Sequence, residues 1–366
     1  MKVLSLFDGM ACGMIAMKKA GVDVESYDAY EIDKYAVKTA QHNFPMIKEH
    51  GDVFSADFKQ YDGVDFMVGG SPCTYWSIAQ TKNRETVASG MGWELFSQYV
   101  RALNEAKPKY FIYENNKSMS KEIRASIDKA FGFEAVLINS ALVSAQNRQR
   151  LYWVGKRNGD GTYSKVDVKQ PNDKRILLRD ILETGTPWQD KASTLTTRCC
   201  AAIPSDTLKR HRHTMVAEAV LTTEPIRIGT IENDAKNQKF DSQQYRVYSP
   251  DGKSVTLCGN GGGVGVKSGL YAVPVNCPDK KYPVYEVRAG LITIKDKQYP
   301  IKLADGYYII RKLSVTECKR LQTVPDNYKF PVSNSQAYKM LGNGWTCEVI
   351  AHLIRSTLND SGESNG

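Results

Sequence analysis

The sequence predicts an α/β fold: a doubly wound, mostly parallel sheet, joined to a second domain built mostly of β-strands and loops. Three observations carry this prediction. Strand-like and helix-like hydrophobic patterns alternate from Lys2 to about Val154, the order that a parallel sheet covered on both faces requires. From about Arg157 the texture changes to short strands, turns and long polar stretches, including Gly259-Asn260-Gly261-Gly262-Gly263, which regular structure does not accommodate. Helical periodicity then returns at Ser314–Leu321 and in a last helix, Glu348–Leu358. The expected division is residues 1–156 with 311–358 as one domain, 157–310 as the second, and 359–366 as a polar tail.

Bulk properties narrow the class. A chain of 366 residues is long enough for two domains. No apolar run approaches the ~20 residues that span a bilayer, and Met1-Lys2-Val3 enters a strand pattern rather than a signal peptide. The net charge of +9 favours a polyanionic partner. Eight scattered cysteines with no Cys-x-x-Cys pair argue against a disulfide framework or zinc site and for a reducing cytoplasm. Cys199-Cys200 and His211-x-His213 match no common metal-ligand spacing.

Taken in order, Lys2–Leu6 is an apolar strand, and Phe7-Asp8-Gly9-Met10-Ala11-Cys12-Gly13 leads into a helix pattern that runs to Ala20. A strand, a glycine-bearing turn and a helix make a cradle for a nucleotide-type cofactor, because bare backbone can approach a ligand closely. The turn lacks the dinucleotide Gly-x-Gly-x-x-Gly pattern, which argues against a nicotinamide oxidoreductase. Strand Val24–Tyr30 ends in Glu31-Ile32-Asp33; an acid at that tip suits either ribose hydroxyls or the start of helix Lys34–Asn43. Gly51-Asp52-Val53 places another acid at a strand end.

The run Asp65–Val68 reads as a buried strand stopped by Gly69-Gly70, and Ser71-Pro72-Cys73 opens a loop at its carboxyl end. Substrates and cofactors meet there in open sheets, and Pro72 stiffens the support of the thiol. A lone cysteine is more often a buried structural residue, so its company elsewhere decides the matter. Lys82 and Arg84, with Gly90 and Gly92 beyond them, read either as a mobile basic lid over an anionic substrate or as a solvated loop. A helix from Gly92 to about Ala106 follows, then strand Tyr110–Tyr113, which ends in Glu114-Asn115-Asn116. Helix Lys121–Phe131, strand Glu134–Asn139 and Gln146-Asn147-Arg148-Gln149-Arg150 entering strand Leu151–Val154 complete the alternation. A degenerate repeat, Lys191–Leu195 and Lys253–Leu257, lies in the second domain, the expected seat of substrate specificity.

Together these stretches resemble the cytosine-5 DNA methyltransferases of bacterial or phage type, from Lys2 to about Arg355. Phe7-Asp8-Gly9 is similar to the family's first motif, with its Phe-x-Gly-x-Gly-Gly altered. Pro72-Cys73 matches the nucleophile motif, although Thr74-Tyr75-Trp76-Ser77 departs from the commoner Gln-x-Phe-Ser. Gly92-x-x-Leu95-Phe96 resembles the fifth motif, and Glu114-Asn115 matches the usual Glu-Asn-Val with Asn116 in place of valine. Gln146-x-Arg148-x-Arg150, Arg311-x-Leu313 with Glu317 and Arg320-Leu321-Gln322, and Gly342-Asn343 complete the ordered set.

The resemblance implies the sheet of an S-adenosylmethionine-dependent methyltransferase with a target-recognition domain. It implies transfer of a methyl group from S-adenosylmethionine to carbon 5 of a flipped-out cytosine in a specific double-stranded DNA sequence, through a Cys73 adduct at carbon 6. Glu114 is the implied acid at ring nitrogen 3, and Arg150 with Arg148 holds the ring's exocyclic oxygen or supports the loop. The cofactor set it implies is Phe7, Asp8, Gly9, Met10, Gly13, Glu31, Ile32, Asp52, Val53, Pro72, Leu95, Asn343 and Trp345. Ser77, Lys82, Arg84, Lys191, Arg198 and Lys253 are the candidate DNA contacts, with Arg198 reaching a guanine edge and the two repeat lysines touching phosphates. The expected enzyme is a cytoplasmic monomer, with no metal and no membrane attachment, in a bacterial cell or phage-infected host. The related tRNA cytosine methyltransferases carry a Cys-Phe-Thr tripeptide that is absent here, and their recognition region is shorter than residues 157–310. A catalytically silent DNA-binding relative would have no use for Cys73, Glu114 and both arginines.

Overall fold

A computed structural model describes residues 1–78, 84–197, 201–210, 213–219, 227–230, 246–248 and 283–360. Two compact units divide the chain: Met1–Glu183, Asp190–Ala201 and the segment from Ser314 onward in the first, Thr184–Gln189 and Ala202–Leu313 in the second.

The first unit begins with β1 (Lys2–Leu6), α1 (Cys12–Lys19), β2 (Ser26–Tyr30), α2 (Lys34–Asn43) and the short β3 (Lys48–Glu49). It continues through β4 (Phe66–Gly69), α3 (Gly90–Ala106), β5 (Tyr110–Asn116) and α4 (Lys121–Phe131). Then come β6 (Val136–Asn139), β7 (Gln149–Arg157) and β8 (Tyr163–Lys165). These strands form one sheet in the order β3-β2-β1-β4-β5-β7-β6, with β8 on β7. The pairs from β3 to β5 are parallel, and β7 runs antiparallel to β5, β6 and β8. The chain winds outward from β1 to β3 and then returns to β4, so the carboxyl ends of β1 and β4 flank a topological switch point.

Side-chain size explains the close joints. A Cβ on Gly13 would lie 2.4 Å from Tyr27 Oη and 3.1 Å from Val68 Cγ2, so only glycine lets the first turn of α1 rest on β2 and β4. On the other face of the sheet Phe96, Tyr99, Phe111, Tyr113, Phe131 and Trp153 are buried in one cluster. Adjacent rings there meet at 4.8–6.5 Å between centroids. Each such side chain contributes about 1.5–3 kcal/mol of burial. Ser120 caps α4 by accepting from Ile123 N at 3.1 Å, and Gly132 closes it with φ 82°.

The second unit holds α5 (Pro204–Arg210), β9 (Met215–Ala219), β10 (Arg227–Thr230), β11 (Arg246–Tyr248), β12 (Val284–Arg288), β13 (Leu291–Ile294), β14 (Lys297–Pro300) and β15 (Gly306–Lys312). Five of these strands form an antiparallel sheet in the order β14-β13-β12-β15-β9, and β10 pairs with β11. Its core gathers Met215, Ala217, Val287, Ile292, Ile294, Tyr308 and Ile310. The chain then returns to the first unit with α6 (Val315–Leu321), α7 (Asn334–Asn343) and α8 (Cys347–Asp360), and α8 packs on α1.

The fold class is the expected one: a mostly parallel sheet with helices, plus a separate antiparallel sheet. Two local expectations need correction. Residues 157–183 and 190–201, read as part of the second domain, lie in the first unit, and 311–313 lies in the second; in the first, β8 extends β7 and Ile181 O accepts from Arg320 Nη1 at 3.0 Å. The helix α7 was not expected at all. Among the described residues no helix is long and apolar enough to cross a membrane.

Candidate active site

The turn that carries Cys73 is fixed by close backbone approach. A Cβ on Gly69 would fall 2.8 Å from Leu6 O and from Tyr99 Cε2, and one on Gly70 would fall 2.8 Å from Glu114 O. The two glycines thus let the end of β4 slot between β1 and β5. Buried Ser71 shares a 2.6 Å hydrogen bond with Tyr113 Oη, and Asn115 Nδ2 donates to Ser71 O at 3.2 Å. Pro72 is exposed, and Cys73–Tyr75 forms a single 3-10 turn closed by Trp76 N and Ser77 N on Cys73 O, at 3.1 and 3.0 Å.

Glu114 leaves the end of β5 beside this turn. Its Oε1 lies 3.1 Å from Arg150 Nε, and its Oε2 accepts from the indole of Trp345 at 3.0 Å. Both oxygens are therefore engaged by donors from distant segments. Burial pushes the half-buried Cys73 thiol above its ordinary value and the Glu114 charge adds to this, while Arg150 and then Arg148 oppose it. Cys73, Glu114 and Arg150 are brought into one electrostatic cluster.

Arg148 contributes at longer range only. Its guanidinium is buried and spends its donors on three carbonyls: Leu195 O at 3.1 Å, Gly342 O at 3.3 Å and Gly344 O at 2.9 Å. Burial pulls it down to about 10. Gln146 behaves alike, accepting from Leu195 N at 3.1 Å, and Gln322 Nε2 donates to Leu341 O and Gly344 O at 2.6 and 3.1 Å. Of the two expectations for Arg148, the geometry fits loop support rather than contact with a ring oxygen. A Cβ on Gly342 would lie 2.5 Å from the carbonyl carbon of Thr196, so this junction admits only glycine.

The turn after β1 is held in left-handed backbone at Phe7, Gly9 and Ala11, with φ of 57°, 61° and 59°. Asp8 points inward. Its Oδ1 accepts from Ser5 Oγ and Tyr27 Oη, both at 2.6 Å, Oδ2 is buried without a partner, and burial pushes the carboxyl up to about 6. Asp8, named in the implied cofactor set, is thus turned inward as a pin for the turn. Met10 is likewise buried, with its carbonyl accepting from Tyr328 Oη at 2.7 Å.

Glu31 sits at the tip of β2 and takes Gly9 N at 2.8 Å, Ile32 N at 2.8 Å and Asp33 N at 2.7 Å. Asp52 Oδ1 accepts from Phe54 N at 3.0 Å, Val53 is buried, and the Ile32 side chain is 78% exposed. Leu95 is half-buried and Asn343 exposed. No atom lies within 4 Å of where a Gly9 Cβ would be, so that backbone is open to a ligand. Strand-tip carboxylates for hydroxyl and amino donors, an exposed apolar side chain and an open glycine fit an adenosine-bearing cofactor.

Sequence reading overlooked several residues here. Arg101 on α3 donates to Ala56 O and Val53 O at 2.9 and 2.7 Å and lies over the Phe58 ring, which clamps the Asp52 turn. Glu49 at the end of β3 has both carboxyl oxygens buried and unpartnered; burial, then Asp8 and Glu31, push it up to about 8. An arginine in a helix and an acid in a polar run carry no sequence signal for such roles.

The DNA candidates divide three ways. Lys82, Arg198 and Lys253 lie outside the described residues, as do Cys199, Cys200, His211 and the Gly259–Gly263 run. Lys191 is turned inward, with its ammonium on Ala141 O, Ser144 O and Ile176 O at 2.9, 3.1 and 2.5 Å. Three carbonyls consume its three donors, which corrects its reading as a phosphate contact. Arg84 donates to Trp76 O at 3.2 Å and Ser118 O at 2.6 Å, and half-buried Ser77 belongs to the Cys73 turn. Among the described residues no group of three or more His, Cys, Asp or Glu side chains could hold a metal ion.

Comparison with known proteins gives the family of the chain. The model of the C-5 cytosine-specific DNA methylase family matches residues 1–359. The orphan methyltransferase M.SPRI of Bacillus phage SPR is 28% identical, with 98% of each chain covered. The type II methyltransferase M.HhaI of Haemophilus parahaemolyticus is 25% identical, covering 98% of this chain and 95% of its own. Among solved structures, the S. pombe Dnmt2 methyltransferase superposes with a TM-score of 0.54 at 13% identity over 98% of both chains, a likeness of fold alone.

Proposed function

Because the chain belongs to the C-5 cytosine-specific DNA methylase family and is a DNA cytosine-5-methyltransferase, we propose that Cys73 is its nucleophile and Glu114 its acid. The supporting observation is the convergence of the Cys73 turn, Glu114, Arg150 and Trp345 at the carboxyl edge of the sheet. A cytosine inside a duplex is out of reach of this edge, so the target nucleotide is flipped out to meet it.

Cys73 Sγ adds to carbon 6 of the ring, and the electron pair of the 5,6 double bond makes carbon 5 nucleophilic. Glu31, Asp52, Ile32 and the Phe7–Gly13 turn would hold S-adenosylmethionine, which when bound would supply an electrophilic methyl group for that carbon and be left as a neutral thioether. Glu114 meets ring nitrogen 3, where negative charge develops on addition. The Glu114 charge opposes the Cys73 thiolate, while Arg150 and then Arg148 favour it. Arg150 remains as the cation nearest both. Loss of the carbon 5 proton to solvent then restores the double bond and expels Cys73 as thiolate.

Replacing Cys73 with serine tests the assignment, because a hydroxyl is a far weaker nucleophile at neutral pH. Tritiated-methyl incorporation into DNA is expected to vanish while S-adenosylmethionine binding, titrated in parallel, is kept. Substantial methylation by Cys73→Ser would refute the covalent role.

A further inference from the structure

The helix α3 starts without the usual provisions. Its N-cap, Ser89, makes no side-chain cap bond, and its first turn holds no acid. The leading N–H groups of a helix have no partners within it, and the positive end of its dipole attracts an anion. Glu85, outside the helix, supplies both. Its Oε1 accepts from Gly92 N at 3.2 Å, and its Oε2 accepts from the Trp76 indole at 3.0 Å.

Trp76 is fully buried, and its backbone N–H closes the turn on Cys73 O. Glu85 N also donates to Tyr75 O at 2.9 Å. Arg84 completes the joint with Trp76 O on one side and, on the other, Ser118 O beyond the strand that carries Glu114. Gly90 and Gly92 make room for the Glu85 carboxylate. A Cβ on Gly90 would lie 2.6 Å from Glu85 Oε1, and one on Gly92 would lie 2.6 Å from both Glu85 Oε2 and Trp76 Nε1. They are small so that the carboxylate can seat.

We propose that Glu85 is a positioning residue for Cys73, fixing the thiol's turn to the N-terminus of α3 through the Trp76 indole. This rests on the role of Cys73 proposed above. Loss of the carboxylate frees the turn without touching the cofactor turns after β1 and β2.

The test uses the full chain with S-adenosylmethionine and a duplex that the wild type methylates. Glu85→Ala is expected to slow single-turnover methylation at saturating cofactor by about ten- to a hundredfold, the usual scale for a hydrogen bond to a charged group. Cofactor affinity by calorimetry should be unchanged. Trp76→Phe, which removes only the indole donor, should show a comparable loss, and the double variant should be no slower than the slower single one. Glu85→Gln should recover part of the rate, because its amide oxygen still accepts one donor. A Glu85→Ala rate equal to wild type, additive losses in the double variant, or a loss that disappears when corrected for folded fraction would overturn the inference. Methylation retained by Cys73→Ser on the same duplex would instead refute the proposed role of Cys73.

Discussion

The two sides of the switch point hold their acids in different ways. Beside β1 and β2, Glu31 takes backbone N–H groups from its own turn and from Gly9, 22 residues away, and Asp52 takes one two residues on. Beside β4 and β5, Glu114 takes side chains, Arg150 on the antiparallel β7 and Trp345, which lies 231 residues further along the chain. The carboxylates beside β1 and β2 are thus held by backbone of nearby turns, whereas Glu114 is held by side chains from distant segments. Damage to the first should stay in cofactor affinity, and damage to the second should reach the rate.

The sharpest break is at Glu114. In Glu114→Gln, methyl incorporation at saturating cofactor should fall about a hundred- to ten-thousandfold, the scale of a lost general acid. Cofactor affinity should hold, and a matching loss of affinity would erase the distinction between the sides. Glu31→Ala and Asp52→Ala should do the reverse. Each should raise the cofactor Kd about ten- to a hundredfold by calorimetry while the saturated rate is kept.

A smaller contrast lies between two arginines on neighbouring stretches of one motif. Arg148→Met orphans the buried carbonyls of Leu195 and Gly342 and takes one of two donors from Gly344 O, at roughly 1–3 kcal/mol for each group left unpaired, so its Tm should drop clearly. Arg150→Met should lower the rate with a much smaller shift in Tm. Equal melting shifts in the two variants would mean that both are structural.

The mildest effect is expected at Glu49, held at about 8 against an ordinary 4.5. The folded chain keeps a proton there that the unfolded chain releases, so its contribution is full below the unfolded value and is lost as pH rises toward 8. Glu49→Gln should therefore gain Tm over wild type progressively between about pH 5 and about pH 8. A constant difference across that range would place the carboxyl in ordinary ionisation.

The same contrast governs what could be read from sequence. Strand tips, glycine turns and the Pro72-Cys73 loop announce themselves locally, so the positions of Glu31 at the tip of β2 and Cys73 just past β4 are legible in the sequence. Where a long polar side chain turns is decided by segments far away. Lys191 looked like a ligand for a phosphate, and Arg148 like either a ligand for a ring oxygen or a support for the loop, yet both face inward onto carbonyls that close chain junctions. Glu85 and Arg101 gave no signal for the same reason. The missed helix α7 is different: Ala337, Met340 and Leu341 are buried at helical spacing, a pattern present in the sequence and passed over.

Trapping the adduct tests the central claim most directly. A duplex with 5-fluorocytosine at a target cytosine, confirmed beforehand by methylome sequencing, blocks the final elimination because fluorine cannot leave as a cation. The account predicts a complex that survives denaturing electrophoresis and requires both S-adenosylmethionine and Cys73. Only dissociable complex, on a duplex that the enzyme methylates when ordinary cytosine is restored, would contradict it.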